Sequence, residues 1–537
     1  MKAISKYFSI AAPIGWTIAC FIFFQWFYLY HLSYRLQLQL FMYSSDYLSS
    51  YFNNPAWLAC MSGDFLTQFF FFNYAGPLTI TIVLLLLGAG FFLALRKLGF
   101  NYFGHSTKNV MNVLISLLLI SWEALRNCGI NYELSSTLSL LGGILLFLPY
   151  AACSKHWRWV TGVLFLLLSY WLFGYGIWAF LLLAVIFEIK SSHYLLSLIL
   201  SVVAIIIPSL LRQTYHLTNL QAYKYPTTSF FNTPNFINEK LLRLDAESTI
   251  GNWSKVVKLT EKDNLKLSYS SYFYNLSNAK QGLLPIQLMN GYQPGPFGLF
   301  ISLNPSTPLL SIISSNEVWF QLGDMTLAEH SAILGLLFSP HHRSSRMTMR
   351  LAEINLINGD NEAAMKYLRM LQKTWLYKNW ADARIPGKQD FRVKNWLELK
   401  QALISVKDTL RSASNETLTL RALVDNHRNN FMALDYLLCY DLLLKDIDAF
   451  MSDYDRYKAV DIDIPNRLYS EGLLIGLTKR NASIEELKKY KIQEQVYNEF
   501  NDYSRQYEEN KGNGQNLQLQ YGKTYWFYYH FATLHKS

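Results

Sequence analysis

WVTGVLFLLLSYWLFGYGIWAFLLLAVIF, residues 159–187, is the stretch on which the topology of this chain turns. It carries no charged residue. As one helix rising about 1.5 Å per residue it would be roughly 44 Å long, against a hydrocarbon core of about 30 Å. Gly174 and Gly176 flank Tyr175 near its middle, so the spacing predicts two shorter helices joined by a tight turn. Residues 7–30, 65–95, 134–154 and 191–211 are also free of charge, and 109–126 is uncharged up to Glu123. With the 159–187 run counted twice, these make about seven membrane spans; counted once, six, with the C-terminal half on the other side. Lys2, Lys6, Arg96, Lys97, Lys108, Lys155, Arg158 and Lys190 then fall on one side, which the positive-inside rule assigns to the cytoplasm. The loops holding Asp46, Asp64 and Glu133 fall on the other side, as does everything after the last span. The first run is too long for a cleavable signal, and no small-residue cleavage site follows it.

Charge is distributed to match. Of 537 residues, 51% are hydrophobic and only 16% charged. The first 212 residues hold 11 of the 48 Lys+Arg and 5 of the 38 Asp+Glu. A membrane domain over 1–212, a linker over 213–236 and a water-soluble region over 237–537 follow from that asymmetry. The net charge of +10 is spread thinly, with no basic block suited to nucleic acid. Five scattered cysteines make no disulfide framework and no zinc spacing.

The external loop 31–76 is where chemistry is expected. It holds Asp46 and Asp64, the only aspartates of the first 212 residues. From Pro55 onward Trp57, Met61, Phe65 and Phe69 recur at helical spacing, while Cys60, Asp64 and Gln68 occupy another face of the same helix. This predicts an amphipathic helix in the headgroup layer with Asp64 turned away from lipid. Glu123 and Arg126, three residues apart, read as an ion pair closing a helix end.

Beyond 237 the pattern is helical nearly throughout. MRLAEINLINGDNEAAMKYLRMLQKT, residues 349–374, places Leu351, Ala352, Gly359, Ala364 and Leu368 where a tetratricopeptide repeat needs packing, small and turn residues. Asn355 stands where that repeat prefers an aromatic. Helix pairs are also expected over 251–282 and over 426–457, the latter broken near Lys445. The fold class is therefore all-α: a polytopic transmembrane helix bundle followed by a degenerate, tetratricopeptide-like α-helical repeat domain. His341–His342 and His427 read as loop and helix-start residues, and the terminal YWFYYHF (525–531) as a buried closing helix.

Several phrases in combination resemble an uncharacterised family of bacterial polytopic membrane proteins. They are QLQLF and SGDFLTQFFFF in the first loop, YNLSNAKQG (274–282), LGDMTLAEHSAILG (322–335), HRNNFMALDYLL (427–438) and TYWFYYHF (524–531). Where that family carries a glycine pair after the loop proline, this chain has Pro55-Ala56-Trp57. A second, architectural resemblance is to membrane glycosyltransferases of the C-type fold, which have a first span, a long external loop with surface helices bearing an acidic base, further spans and an external C-terminal domain. It implies a protein of a bacterial inner membrane, with its C-terminal domain in the periplasm and a polyprenyl-phosphate-linked sugar as donor. Asp64 and Asp46 take the catalytic positions, as base or as holders of a divalent cation. No motif names a cofactor. The other reading, from a different class, is a non-catalytic membrane-anchored scaffold whose helical repeats bind envelope proteins. Asp46 and Asp64 separate the two, because a scaffold has no use for acids at the membrane surface.

Overall fold

The computed structural model describes residues 2–99, 105–404, 415–457, 465–510 and 513–534, and every regular element among them is helical. Two compact units emerge. Unit 1 comprises Met1–Leu242 with Met370–Asn379, and unit 2 comprises Arg243–Arg369 with Trp380–Ser537.

Unit 1 opens with α1 (Lys2–Ile22), extended by a π-helical turn to Phe27, and continues through α2 (Leu29–Gln37), α3 (Ser45–Ser50) and α4 (Trp57–Thr67). Next come α5 (Ala75–Leu98), α6 (His105–Arg126), α7 (Leu134–Ala152), α8 (Arg158–Phe173), α9 (Gly176–Lys190) and α10 (Tyr194–Leu211). Tyr7–Phe27, Ala75–Leu98, Asn109–Arg126, Leu134–Ala152 and Tyr194–Leu211 are five segments long and apolar enough to cross a membrane. α8 and α9 are the two halves of the 159–187 run, separated by Gly174 at φ +53°. With 16 and 15 residues they measure roughly 24 and 22 Å, short of a full hydrocarbon thickness. The turn between the expected lysine-bearing ends of α5 and α6, residues 100–104, lies outside the described residues.

Apolar side chains cover the outside of the bundle. On α1 Ile10, Ile14, Ile18 and Ile22 stay exposed, one per turn; on α10 Leu195, Leu198, Val202, Ile206 and Leu210 do the same. Such faces are stable where the solvent is hydrocarbon. α7 is the central helix, packing against α4, α5, α8 and α9. Its Ser139 and Gly143 let the backbone of α9 approach closely: a Cβ on Gly143 would stand 2.0 Å from the Gly176 carbonyl oxygen. Small residues at such a crossing are what membrane helices use in place of a hydrophobic driving force.

The 213–236 stretch is built into unit 1 rather than strung out as a linker. α11 (Asn219–Lys224) carries a Thr218–Gln221 capping box, and α12 (Phe236–Thr249) starts in this unit. Between them the Tyr225 carbonyl accepts from Tyr175 N–H at 2.8 Å, and Thr227 is buried. The aromatic and proline spacing that reads as an open segment supplies packing surface and carbonyls to the bundle instead. Unit 1 also takes in residues 370–379, where Tyr43 N–H donates to the Lys373 carbonyl (2.7 Å) and Trp375 packs edge-on against Phe69.

Unit 2 is a succession of helix hairpins. Ser345–Asn358 and Asn361–Gln372 turn at Gly359 (φ +80°), with Leu351, Ala352, Ala364 and Leu368 fully buried. Trp253–Asp263 packs on Ser268–Lys280, and Phe431–Leu443 on Ile447–Tyr457, with the break at Lys445. The terminal Tyr525–Phe531 helix is anchored by Glu471, whose Oε2 accepts from Tyr525 N–H at 2.6 Å, while Trp526 is fully buried.

Candidate functional site at one end of the helix bundle

α1, α6 and α8 end, and α7 and α9 begin, at the same end of unit 1. Three hydrogen bonds fix this: Tyr28 OH to the Cys128 carbonyl (3.1 Å), Tyr175 OH to the Ser136 carbonyl (2.8 Å) and Arg126 Nη1 to Tyr175 OH (3.1 Å). At the opposite end Lys190 donates to the carbonyls of Leu98 and Gly99, and Tyr150 to Glu188.

α4 is laid against the first turn of α7. Ala59, Cys60, Gly63 and Thr67 form its inward stripe, all buried. A Cβ on Gly63 would lie 2.6 Å from Ser135 N, so the two backbones are in contact there. Trp57 and Met61 are half-buried against the tyrosine cluster, Trp57 also against Trp171 and Phe69 against Trp375, while Phe65 is exposed. The helix starts from Ala56, which is left-handed (φ 59°), fully buried and bonded through its N–H to the Tyr170 carbonyl. A rigid pin thus stands at Ala56, the first residue after the loop proline.

Asp64, half-buried, receives a 2.5 Å hydrogen bond on Oδ2 from Tyr51 OH, which lies 2.6 Å from Tyr47 OH. Gln39 Nε2 donates to the Asp64 carbonyl at 3.0 Å. Both tyrosines are buried in a small cluster with Phe41, Ala56, Ala59 and Cys60. Burial first, and the Asp64 charge next, push the Tyr51 phenol far above its ordinary range; it is a hydrogen-bond donor at any physiological pH. Burial, then the Glu133 and Asp64 charges, push the Cys60 thiol well up, so it is no ready nucleophile. The cluster is a half-buried carboxylate with an aromatic floor, and the phenol donor favours its charged form.

Asp46 is placed elsewhere. It is exposed in the first turn of α3, where a negative charge favours the helix start. Its neighbour Tyr47, not Asp46, joins the chain to Asp64. Tyr47 and Tyr51 share a face at i, i+4, a spacing visible in the sequence that reading for acids passes over. Among the described residues no group of three or more His, Cys, Asp and Glu could hold a metal ion, so a cation at Asp64 would need oxygen ligands from a substrate or water.

Glu123 and Arg126 do pair, at 2.8 Å, but in the interior rather than at an interface: both side chains are 0% exposed. Glu123 Oε1 accepts from Tyr132 (2.5 Å) and Thr137 (2.7 Å). Arg126 donates to Tyr175, Thr227 and the Ser229 carbonyl, with Trp122 and Tyr132 rings against the guanidinium. The Glu123–Arg126 bond lies within α6, and the bonds to Tyr132, Thr137, Tyr175, Thr227 and Ser229 tie that helix to other segments, which makes the network a clamp.

The chain matches a family model over residues 4–532. It belongs to a family of unknown function, DUF6057. No curated protein and no solved structure matches it. Family membership thus covers both units and leaves the chemistry to be argued from the residues.

Proposed function

We propose that the protein is a membrane-surface glycosyltransferase that uses Asp64 as its base and a lipid-linked sugar as its donor. The observation that carries this reading is the Tyr47–Tyr51–Asp64 chain, a half-buried acid held at the end of an apolar bundle. Asp64 takes the proton of an acceptor hydroxyl. The acceptor oxygen bonds to the anomeric carbon, the anomeric carbon–oxygen bond to phosphate breaks, and polyprenyl phosphate leaves with the electron pair. The exposed Phe65 beside Asp64 supports placing that acid within reach of a headgroup in the adjoining leaflet. Replacing Asp64 by Asn keeps shape and removes the charge. The expected result is normal accumulation together with the same envelope phenotype that deletion gives; an Asp64→Asn strain that accumulates normally and behaves as wild type overturns the reading.

The setting is a bacterial inner membrane crossed seven times, with α8 and α9 as separate passes and the C-terminal half in the periplasm. An alkaline phosphatase fusion after Ser537 is expected to be active. An inactive fusion, with an active cytoplasmic reporter at the same position, overturns this placement. A second reading has its own support: the Ser345–Asn358 and Asn361–Gln372 hairpin resembles a peptide-binding repeat, which favours a scaffold for envelope proteins. It predicts that Asp64→Asn is silent while disruption of unit 2 is not.

A further inference from the structure

At the same end of unit 1 lies a cavity of about 350 Å³ that involves neither Asp64 nor its tyrosines. His31, Asn232, Thr233, Asn235 and Asn238 line it, beside Phe231, which is 81% exposed. Its construction is rigid. α2 is fixed at its N-terminus by Glu239, whose two carboxylate oxygens accept from Tyr30 N–H (2.6 Å) and His31 N–H (3.0 Å). Asn232 Nδ2 donates to the Arg126 carbonyl (2.9 Å), and Asn235 Oδ1 accepts from Asn238 N–H (3.0 Å). Each of these amides keeps the other half of its hydrogen-bonding capacity.

His31 is the second observation. It is 98% buried (2% exposed) and lines the cavity, and its Nε2 makes no hydrogen bond of good geometry, with backbone groups of Asn127 and Gly129 against the ring. A buried ring nitrogen left unpaired costs about 1–3 kcal/mol, a cost that a ligand hydroxyl would remove. Burial, then the nearby Arg35 charge, hold the imidazole well below its usual range, so His31 is neutral. No Asp, Glu, Lys or Arg is among the lining residues. The lining therefore offers a charged ligand no direct partner, and the buried Arg35 beside His31 repels a cation. The lining instead offers uncharged donors and acceptors side by side, with an aromatic face at hand, and its size suits a small ligand. Those are the needs of a pyranose, with vicinal hydroxyls around the ring and an apolar C–H face.

We propose that this cavity binds one uncharged sugar unit of a glycan. The proposal goes beyond the transferase reading and stands on different residues, so the two can fail separately.

The test uses the full chain in lipid nanodiscs, since alkyl-glycoside detergents present a sugar headgroup of their own. Diacetylchitobiose, maltose and cellobiose are titrated and followed by saturation-transfer NMR, with glucose 1-phosphate as the charged counterpart. Saturable binding of at least one neutral disaccharide is expected, with a dissociation constant on the order of 1 mM. Phe231→Ala and Asn238→Ala, both at partly exposed positions, should each weaken it about tenfold. Failure of all three sugars to bind, equal binding by both cavity variants, or preference for glucose 1-phosphate overturns the proposal. None of those results bears on Asp64, whose own test is the envelope phenotype.

Discussion

Arg126→Met is the perturbation whose size the structure fixes best. It removes the only cation among the described residues within hydrogen-bonding distance of the Glu123 carboxylate and leaves it 0% exposed with two hydroxyl donors, Tyr132 and Thr137. Breaking one partner out of a buried ion pair costs about 3–5 kcal/mol, because the remaining charge is neither solvated nor paired. The same change cuts the bonds to Thr227 and the Ser229 carbonyl that hold the 227–229 segment to the bundle. At about 1.4 kcal/mol per decade this is a loss of roughly two to four orders of magnitude in the folded-to-unfolded ratio, against a total stability of about 5–15 kcal/mol. Replacing the pair together, Glu123→Leu with Arg126→Met, takes both charges away and should recover at least about 2 kcal/mol of the single-variant loss. SDS titration of the full chain in mixed micelles, read by tryptophan fluorescence, measures all four corners of the cycle. Trp122, 4.6 Å from the guanidinium, adds a local signal. A single-variant cost below about 1 kcal/mol, or a double variant no better than the sum of the singles, refutes the clamp.

The contact of α4 with α7 gives a second expectation. Gly63→Ala sets a methyl against backbone, which cannot swing aside, and should cost about 1–3 kcal/mol. Cys60, 5% exposed, should then react with maleimide faster; unchanged labelling would show that α4 is not pinned there. In unit 2, burial raises the Glu471 carboxyl to about 7 from 4.5. The folded state thus holds this proton more tightly than the unfolded one, and stability falls as pH rises from about 4.5 to about 7, by at most about 3 kcal/mol. Glu471→Gln should flatten the melting midpoint across that window, and an unaltered slope would refute the assignment.

The sequence alone determined many of the features that depend on neighbours along the chain, though not α11 and its local capping box. Run length and absence of charge located the five long apolar helices, and the Gly174–Gly176 pair located the break between α8 and α9. Gly359, Leu351, Ala352, Ala364 and Leu368 located one hairpin and its buried face. Backbone hydrogen bonds in a helix reach only four residues, so a helix writes its limits and its faces into local spacing. What acts on what is not local. Asp64 meets Tyr51 rather than Asp46, and Glu123 collects Tyr132 and Thr137 around Arg126. The 227–232 segment is drawn into the bundle, and residues 370–379 join unit 1 from far along the chain. Those pairings follow from which helix faces meet, and only the folded backbone brings them within the 3 Å over which a buried polar group must find its partner. The acid was legible in the sequence; its aromatic floor and its hydrogen-bond donor were decided by the fold.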